Sequence, residues 1–172
     1  SYLTVSPKDW VDWALTNNMP IELIAFIRLN PKMLFDENPN KQNEDDMINT
    51  YAPRTVANVG RLQNAGIPKG LEYALFSGAA GSIFASEYLG FLKIKDQLPN
   101  PEVILMSPEK AIMPTEPSAL YVICGMLTDR ATEINISNIE KYAARMPADF
   151  SVLLFKDIAI RKPELQKTRG FI

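Results

Sequence analysis

The chain contains no histidine and only one cysteine, Cys124, among its 172 residues. The lack of histidine excludes an imidazole general base, Ser-His-Asp and Cys-His nucleophile systems and His-ligated metal sites. A single cysteine excludes an internal disulfide and the cysteine clusters that bind zinc or iron–sulfur centres. We therefore expect no catalytic residues and no metal site in this chain, and we interpret Cys124 as a small buried apolar residue.

Long apolar runs are also absent. No run reaches the roughly 18 residues of a membrane span, and the first five residues have neither the basic region nor the apolar core of a signal peptide. A cytoplasmic location without a membrane partner is the expectation. Eighteen Lys and Arg against twenty Asp and Glu give a net charge of −2, and this near balance argues against a general nucleic-acid binder.

The spacing of the apolar residues predicts a mainly α fold, a helical bundle of seven to nine helices. Ser6 followed by Pro7 is a helix-start pattern. A second helix should end before Pro31, and a third should run from Pro53 to the stop signal at Gly66.

Three segments are harder to assign. Residues 98–117 are interrupted by prolines and are predicted to be irregular, with room for a short strand. Within them, the apolar run 103–106 fits a strand or a buried helical turn equally well. For 150–160 we favour a helix over a strand. Gly78 and Gly81 indicate either a close helix–helix approach or a helix break.

The sequence suggests three parts. Residues 1–35 form an N-terminal helix pair, residues 36–50 a solvated loop, and residues 51–172 a larger helical remainder. The loop contains the acidic run Glu44, Asp45 and Asp46, which we expect to be solvated rather than to bind a cation.

Arg54 is the residue with the clearest functional implication. Since Pro53 suits the first position of a helix, Arg54 falls in the first turn, where a cation opposes the helix dipole at a cost of about 0.3–1 kcal/mol. An arginine beside free amide donors is suited to an anion in front of it. The alternative is an exposed arginine that pairs with a carboxylate such as Asp45 or Asp46.

Neither the phosphate-binding loop G-x-x-x-x-G-K-[ST] nor G-x-G-x-x-G occurs in the chain. We therefore do not expect the chain alone to hydrolyse nucleotides. Trp10 and Trp13 lie three residues apart on the first helix, and we interpret them as core or junction packing rather than as a face that binds a partner.

Several short motifs resemble the C-terminal helical lid of MoxR-like AAA+ ATPases of bacteria and phages. Ala52-Pro53-Arg54 at a helix start is similar to the sensor-2 element, where Ser-Pro-Arg is typical. The chain departs from that pattern in having Tyr51-Ala52 where Gly-x-Ser is more usual. Further similarity lies in the W-x-x-W-A motif of 10–14, in the spacing of Ile21, Phe26-Ile27, Pro31 and Leu34, and in 78–81, 86–88, 117–121 and 146–150.

This resemblance implies a lid and C-terminal extension whose ATPase core lies elsewhere in a longer protein. Arg54 would reach the γ-phosphate of ATP bound with Mg in that core, while the chain itself holds no cofactor. The implied partners are the chain's own N-terminal core, the neighbouring subunits of a ring that is typically hexameric, and a von Willebrand A domain protein. The implied activity is chaperone-like remodelling.

Two other functions stay open at this point. The chain could act as a stand-alone helical interaction module that never touches nucleotide. It could also be an accessory nucleic-acid-binding domain that uses its basic C-terminal tail, although few aromatic residues interleave these cations. The tail comprises Lys156, Arg161, Lys162, Lys167 and Arg169.

Overall fold

The computed structural model describes residues 5–36 and 50–166. This part of the chain contains nine α-helices and no β-strand, which confirms the mainly α prediction. The helices are α1 (Pro7–Thr16), α2 (Ile21–Leu29), α3 (Pro53–Ala65), α4 (Glu72–Ala80), α5 (Ser82–Leu92), α6 (Pro101–Met106), α7 (Pro117–Arg130), α8 (Ile136–Ala143) and α9 (Ala148–Arg161). Short 3-10 helices cover Pro31–Leu34, Lys93–Gln97 and Pro163–Leu165.

The chain divides into two compact units, Ser1–Lys93 and Ile94–Ile172. The first unit holds α1 to α5 and the second holds α6 to α9. The sequence instead predicts segment boundaries after residues 35 and 50. Residues 37–49, which make up most of the predicted loop, lie outside the described part of the chain.

Aromatic side chains fill the core of the first unit. The ring of Phe26, on α2, lies 5.5 Å from that of Phe84, 5.2 Å from that of Tyr88 and 5.4 Å from that of Phe91, all three on α5. Phe26, Phe84 and Tyr88 are almost completely buried. Aromatic pairs at such distances add to the free energy gained from burying their area, so this cluster holds α2 against α5.

The small-residue segment 77–82 contains a helix break. Gly81 has φ 92° and separates α4 from α5, a backbone conformation that glycine adopts without steric cost. Among the described residues, no neighbouring side chain or packed backbone lies within 4 Å of the position where a Cβ on Gly78 would lie. Of the two interpretations of this segment, the helix break is therefore the one observed.

The second unit has a core of its own, built mainly between α7 and α9. Leu120, Ile123 and Leu127 of α7 are buried together with Leu154 and Ile158 of α9. The remaining core residues come mostly from α8 and the segment before α7, and include Ile104, Ala111, Ile136, Ile139, Tyr142 and Met146.

The segments left ambiguous by the sequence are helical. Residues 103–106 belong to α6, whose start is capped by the Asn100 side chain accepting from the amide of Glu102 at 2.9 Å. Residues 150–160 belong to α9, as favoured. Residues 107–116 form turns and irregular backbone without a strand. None of the helices in the described ranges has both the length and the apolar character needed to cross a membrane.

Candidate functional site

The start of α3 is tightly anchored although its N-cap residue, Ala52, has no side-chain acceptor. Thr55, three residues later, holds the backbone before the helix instead of capping the amides of the first turn. Its hydroxyl oxygen accepts from the amide of Ala52 at 2.8 Å and donates to the carbonyl of Thr50, also at 2.8 Å. Pro53 occupies the first helical position, as predicted, and fixes φ there. The backbone on both sides of Arg54 is thereby held in place.

A second anchor comes from α1. The indole N–H of Trp10 donates to the carbonyl oxygen of Pro53 across 3.3 Å, between residues 43 positions apart in the chain. Trp10 is only 3% exposed, so its predicted packing role agrees with its position. The contact fixes the first turn of α3 against α1.

The side chain of Arg54 is exposed and, among the described residues, makes no hydrogen bond and no ion pair. No acidic residue lies in the first turn of α3. The amides of Arg54 and Thr55 likewise have no acceptor within the described ranges. The first turn therefore offers two backbone donors at the positive end of a helix dipole and carries an exposed guanidinium, a combination that favours an anion. The alternative partners Asp45 and Asp46 lie outside the described residues.

Arg54 lies at one edge of an open groove of about 600 Å³ between α1 and α3. The groove is lined by Val5, Trp10 and Trp13 on one side and by Pro53, Arg54, Ala57, Asn58 and Arg61 on the other. Two arginines and no carboxylate are among these residues, so the electrostatic potential of the groove favours an anionic ligand.

Arg61 is the groove residue that our sequence analysis missed. Its guanidinium carbon lies 5.9 Å from the centre of the Trp13 ring, a cation–π distance, and its Nη1 donates to the Asn58 side chain at 2.8 Å. Trp13 is 38% exposed, so it belongs to the groove surface rather than to the core. Arg54, Asn58 and Arg61 follow helical spacing i, i+4, i+7, and this signal was available in the sequence.

Cations of the predicted basic tail contact the end of α7. Arg161 Nε forms an ion pair with Asp129 Oδ1 at 3.0 Å. The ammonium group of Lys162 donates to the carbonyl of Asp129 and, at 2.8 Å, to that of Ala131. Burial lowers the pKa of Lys162 from its ordinary value. Lys167 and Arg169 lie outside the described residues, and Lys156 is exposed on α9.

Other sequence candidates have simple structural settings. Cys124 is completely buried in α7, with Sγ 3.7 Å from the carbonyl oxygen of Phe150. The acidic run Glu44–Asp46 lies outside the described residues. Within residues 5–36 and 50–166, no group of three or more Cys, Asp or Glu side chains is placed to hold a metal ion.

Comparison with known proteins gives no match to a family model, to a curated protein or to a solved structure.

Proposed function

We propose that this chain is the nucleotide-sensing lid and helical extension of a MoxR-like AAA+ ATPase, with Arg54 as the residue that detects the γ-phosphate. The observation that supports this most strongly is the setting of Arg54. Its backbone is anchored by Thr55 and Trp10, while its side chain is exposed and makes no ion pair with the described residues. An anchored arginine without a partner suits a ligand supplied from elsewhere.

In this proposal Arg54 binds phosphate oxygens through the planar fork of its guanidinium, which fits them in a bidentate manner that lysine cannot reproduce. The amides of Arg54 and Thr55, which have no acceptor among residues 5–36 and 50–166, and the dipole of α3 add positive potential in the same helical turn. Any Mg would be held by the core, because none of the described residues that line the groove between α1 and α3 is a carboxylate.

Loss of the γ-phosphate would remove the ligand of Arg54 and release the lid from the nucleotide. The equilibrium between lid positions then shifts by the differential affinity of Arg54 for the two nucleotide states. Through this step hydrolysis in the core would drive chaperone-like remodelling. The partners are the N-terminal core, the neighbouring subunits of a ring that is typically hexameric, and a von Willebrand A domain protein.

The proposal requires that the gene product carry a nucleotide-binding core in addition to this 19.3 kDa chain. An antibody raised to the chain would measure the mass of the native product in the source cell. We expect a product of about twice that mass or more, since a core domain adds on the order of 150 residues. A product of 19 kDa would contradict the proposal.

A stand-alone interaction module is the second candidate. One observation favours it: Leu71, Tyr73 and Leu75, at the start of α4, expose between 36% and 49% of their surface. A partner that covers these side chains would bind regardless of nucleotide. The nucleic-acid hypothesis has less support, because Arg161 and Lys162 are engaged at the end of α7.

A further inference from the structure

We propose that Trp10 is the positioning residue for Arg54, acting through the hydrogen bond from its indole N–H to the carbonyl oxygen of Pro53. This inference rests on the proposed function, since it concerns how Arg54 is presented to an anionic ligand. Trp10 does not touch the ligand itself. It holds the turn of backbone from which Arg54 projects.

The contact links two elements that are far apart in sequence. Trp10 lies in α1 and Pro53 begins α3, and the N–H to O contact measures 3.3 Å. Since Trp10 is 3% exposed, water has little access to its N–H, and the carbonyl of Pro53 is the acceptor that satisfies it. A buried tryptophan N–H needs such a partner.

The hydrogen bond from Trp10 bears on function because its acceptor, the carbonyl of Pro53, belongs to the residue before Arg54. Pro53 directly precedes Arg54, and Thr55, directly after it, bonds to the backbone of Thr50 and Ala52. The backbone of Arg54 is therefore fixed from both sides, while its side chain remains exposed. Fixing the backbone before binding lowers the entropy lost when the guanidinium engages a ligand.

The same helix supplies a matched comparison. Trp13 lies three residues after Trp10, and its ring contacts the guanidinium of Arg61 and, with 6.1 Å between ring centres, the ring of Trp10. The indole N–H of Trp13 makes no hydrogen bond to the described residues. The substitution Trp13→Phe therefore removes a similar volume from α1 and reduces the ring contact with Trp10, but it leaves the hydrogen bond from Trp10 to Pro53 in place.

The first arm of the test is hydrogen exchange on the 172-residue chain. The amide of Val56 bonds to the carbonyl of Ala52 in the first turn of α3. We expect Trp10→Phe to speed its exchange about fivefold, as loss of one hydrogen bond predicts. Trp13→Phe should leave it unchanged. Equal rates in the two variants overturn the proposal.

Because Trp10→Phe also leaves a small cavity, a second variant isolates the hydrogen bond. Replacing Trp10 by 3-benzothienylalanine keeps the two-ring shape and puts sulfur in place of N–H. We expect the same faster exchange at Val56. If the Val56 amide of this variant exchanges at the wild-type rate, then the packing of Trp10 and not its hydrogen bond stabilises the first turn of α3. That result overturns the proposal.

The second arm measures ATP turnover by the full-length gene product. Trp10→Phe is expected to lower turnover severalfold on its own and to have no further effect when Arg54→Ala is already present, because both changes act through one interaction. Independent, multiplicative effects overturn the positioning role while the proposed function stands. If Arg54→Ala alone retains full turnover, the proposed function itself fails, and the positioning role fails with it.

Discussion

At the scale of single residues, Arg54 is notable for its position in the first turn of α3 and for the contacts that hold the backbone of this turn. A cation in the first turn of a helix is disfavoured by the dipole, and from the sequence this is consistent with an anion site or with an exposed arginine paired to a carboxylate such as Asp45 or Asp46. What could not be predicted is the support of the turn, because the contact from Trp10 to Pro53 joins residues 43 positions apart. The helical spacing places Arg61 on the same face of α3 as Arg54, but its contact with Trp13 depends on how α1 packs against α3.

Tyr142 gives a pH prediction at the same scale. Burial raises its pKa to about 12, and its hydroxyl donates to the carbonyl of Ile112 at 2.7 Å. Since the folded chain keeps this proton to higher pH than the unfolded chain, stability is full below pH 10 and falls between pH 10 and 12. We expect this fall to amount to about 2 kcal/mol in the free energy of unfolding.

The variant Tyr142→Phe should lose about 1 kcal/mol of stability at pH 7, from the hydrogen bond to Ile112, and should lack this part of the alkaline fall. Chemical denaturation at several pH values measures both effects. Burial also raises the pKa of Tyr88, but that contribution is common to variant and wild type and cancels in their difference. Tyr121→Phe is the control and should keep the fall. If the difference in free energy of unfolding between Tyr142→Phe and wild type did not change with pH, the assignment of the alkaline fall to Tyr142 would be contradicted.

At the scale of elements, the packing of α3 against the start of α2 depends on Gly60. A Cβ at this position would lie 2.6 Å from Met19 Sδ and 3.0 Å from Leu23 Cδ2. Gly90, in α5, has no atom within 4 Å of the corresponding position. The two glycines therefore allow the same substitution to be compared with and without a steric conflict.

We expect Gly90→Ala to stabilise the chain by about 0.5–1 kcal/mol, because alanine costs less backbone entropy in a helix. In Gly60→Ala the same gain is offset by displacement of Met19 and Leu23, so the variant should be less stable than Gly90→Ala by about 1–3 kcal/mol. Denaturant unfolding gives both values. Equal stabilisation by the two substitutions would show that α2 and α3 are not closely packed at this point.

Helix starts could be predicted where a capping side chain or a proline within the first turn marks them. The Ser6 side chain accepts from the amide of Asp9 at 3.1 Å, as the cap pattern indicates, and Pro53 begins α3. The limits of α4 were not set by such a signal, and this helix runs from Glu72 to Ala80. Gly81 ends this helix. The sequence alone does not decide whether Gly78 and Gly81 break a helix or allow a close helix–helix contact, because that depends on which residues pack against them.

At the scale of the whole molecule, the helical class followed from the spacing of apolar residues, whereas the division of the chain did not. The sequence marks a strong change of composition at residues 36–50, yet the compact units divide between Lys93 and Ile94. Within this segment, residues 36–46 contain no apolar side chain, which makes them conspicuous in the sequence. A unit, however, is defined by which helices share a core, and Phe26 of the N-terminal helix pair packs against the rings of α5.

The measurement that tests the central claim most directly is steady-state ATP turnover by the full-length gene product with Arg54→Ala. We predict turnover at least tenfold below wild type, equivalent to about 1.4 kcal/mol of lost transition-state stabilisation. Arg54→Lys should restore only part of it, because lysine lacks the bidentate fork. Lys69→Ala, an exposed cation of the same unit outside the groove, should match wild type. Wild-type turnover in Arg54→Ala would contradict the assignment of Arg54 as the nucleotide sensor.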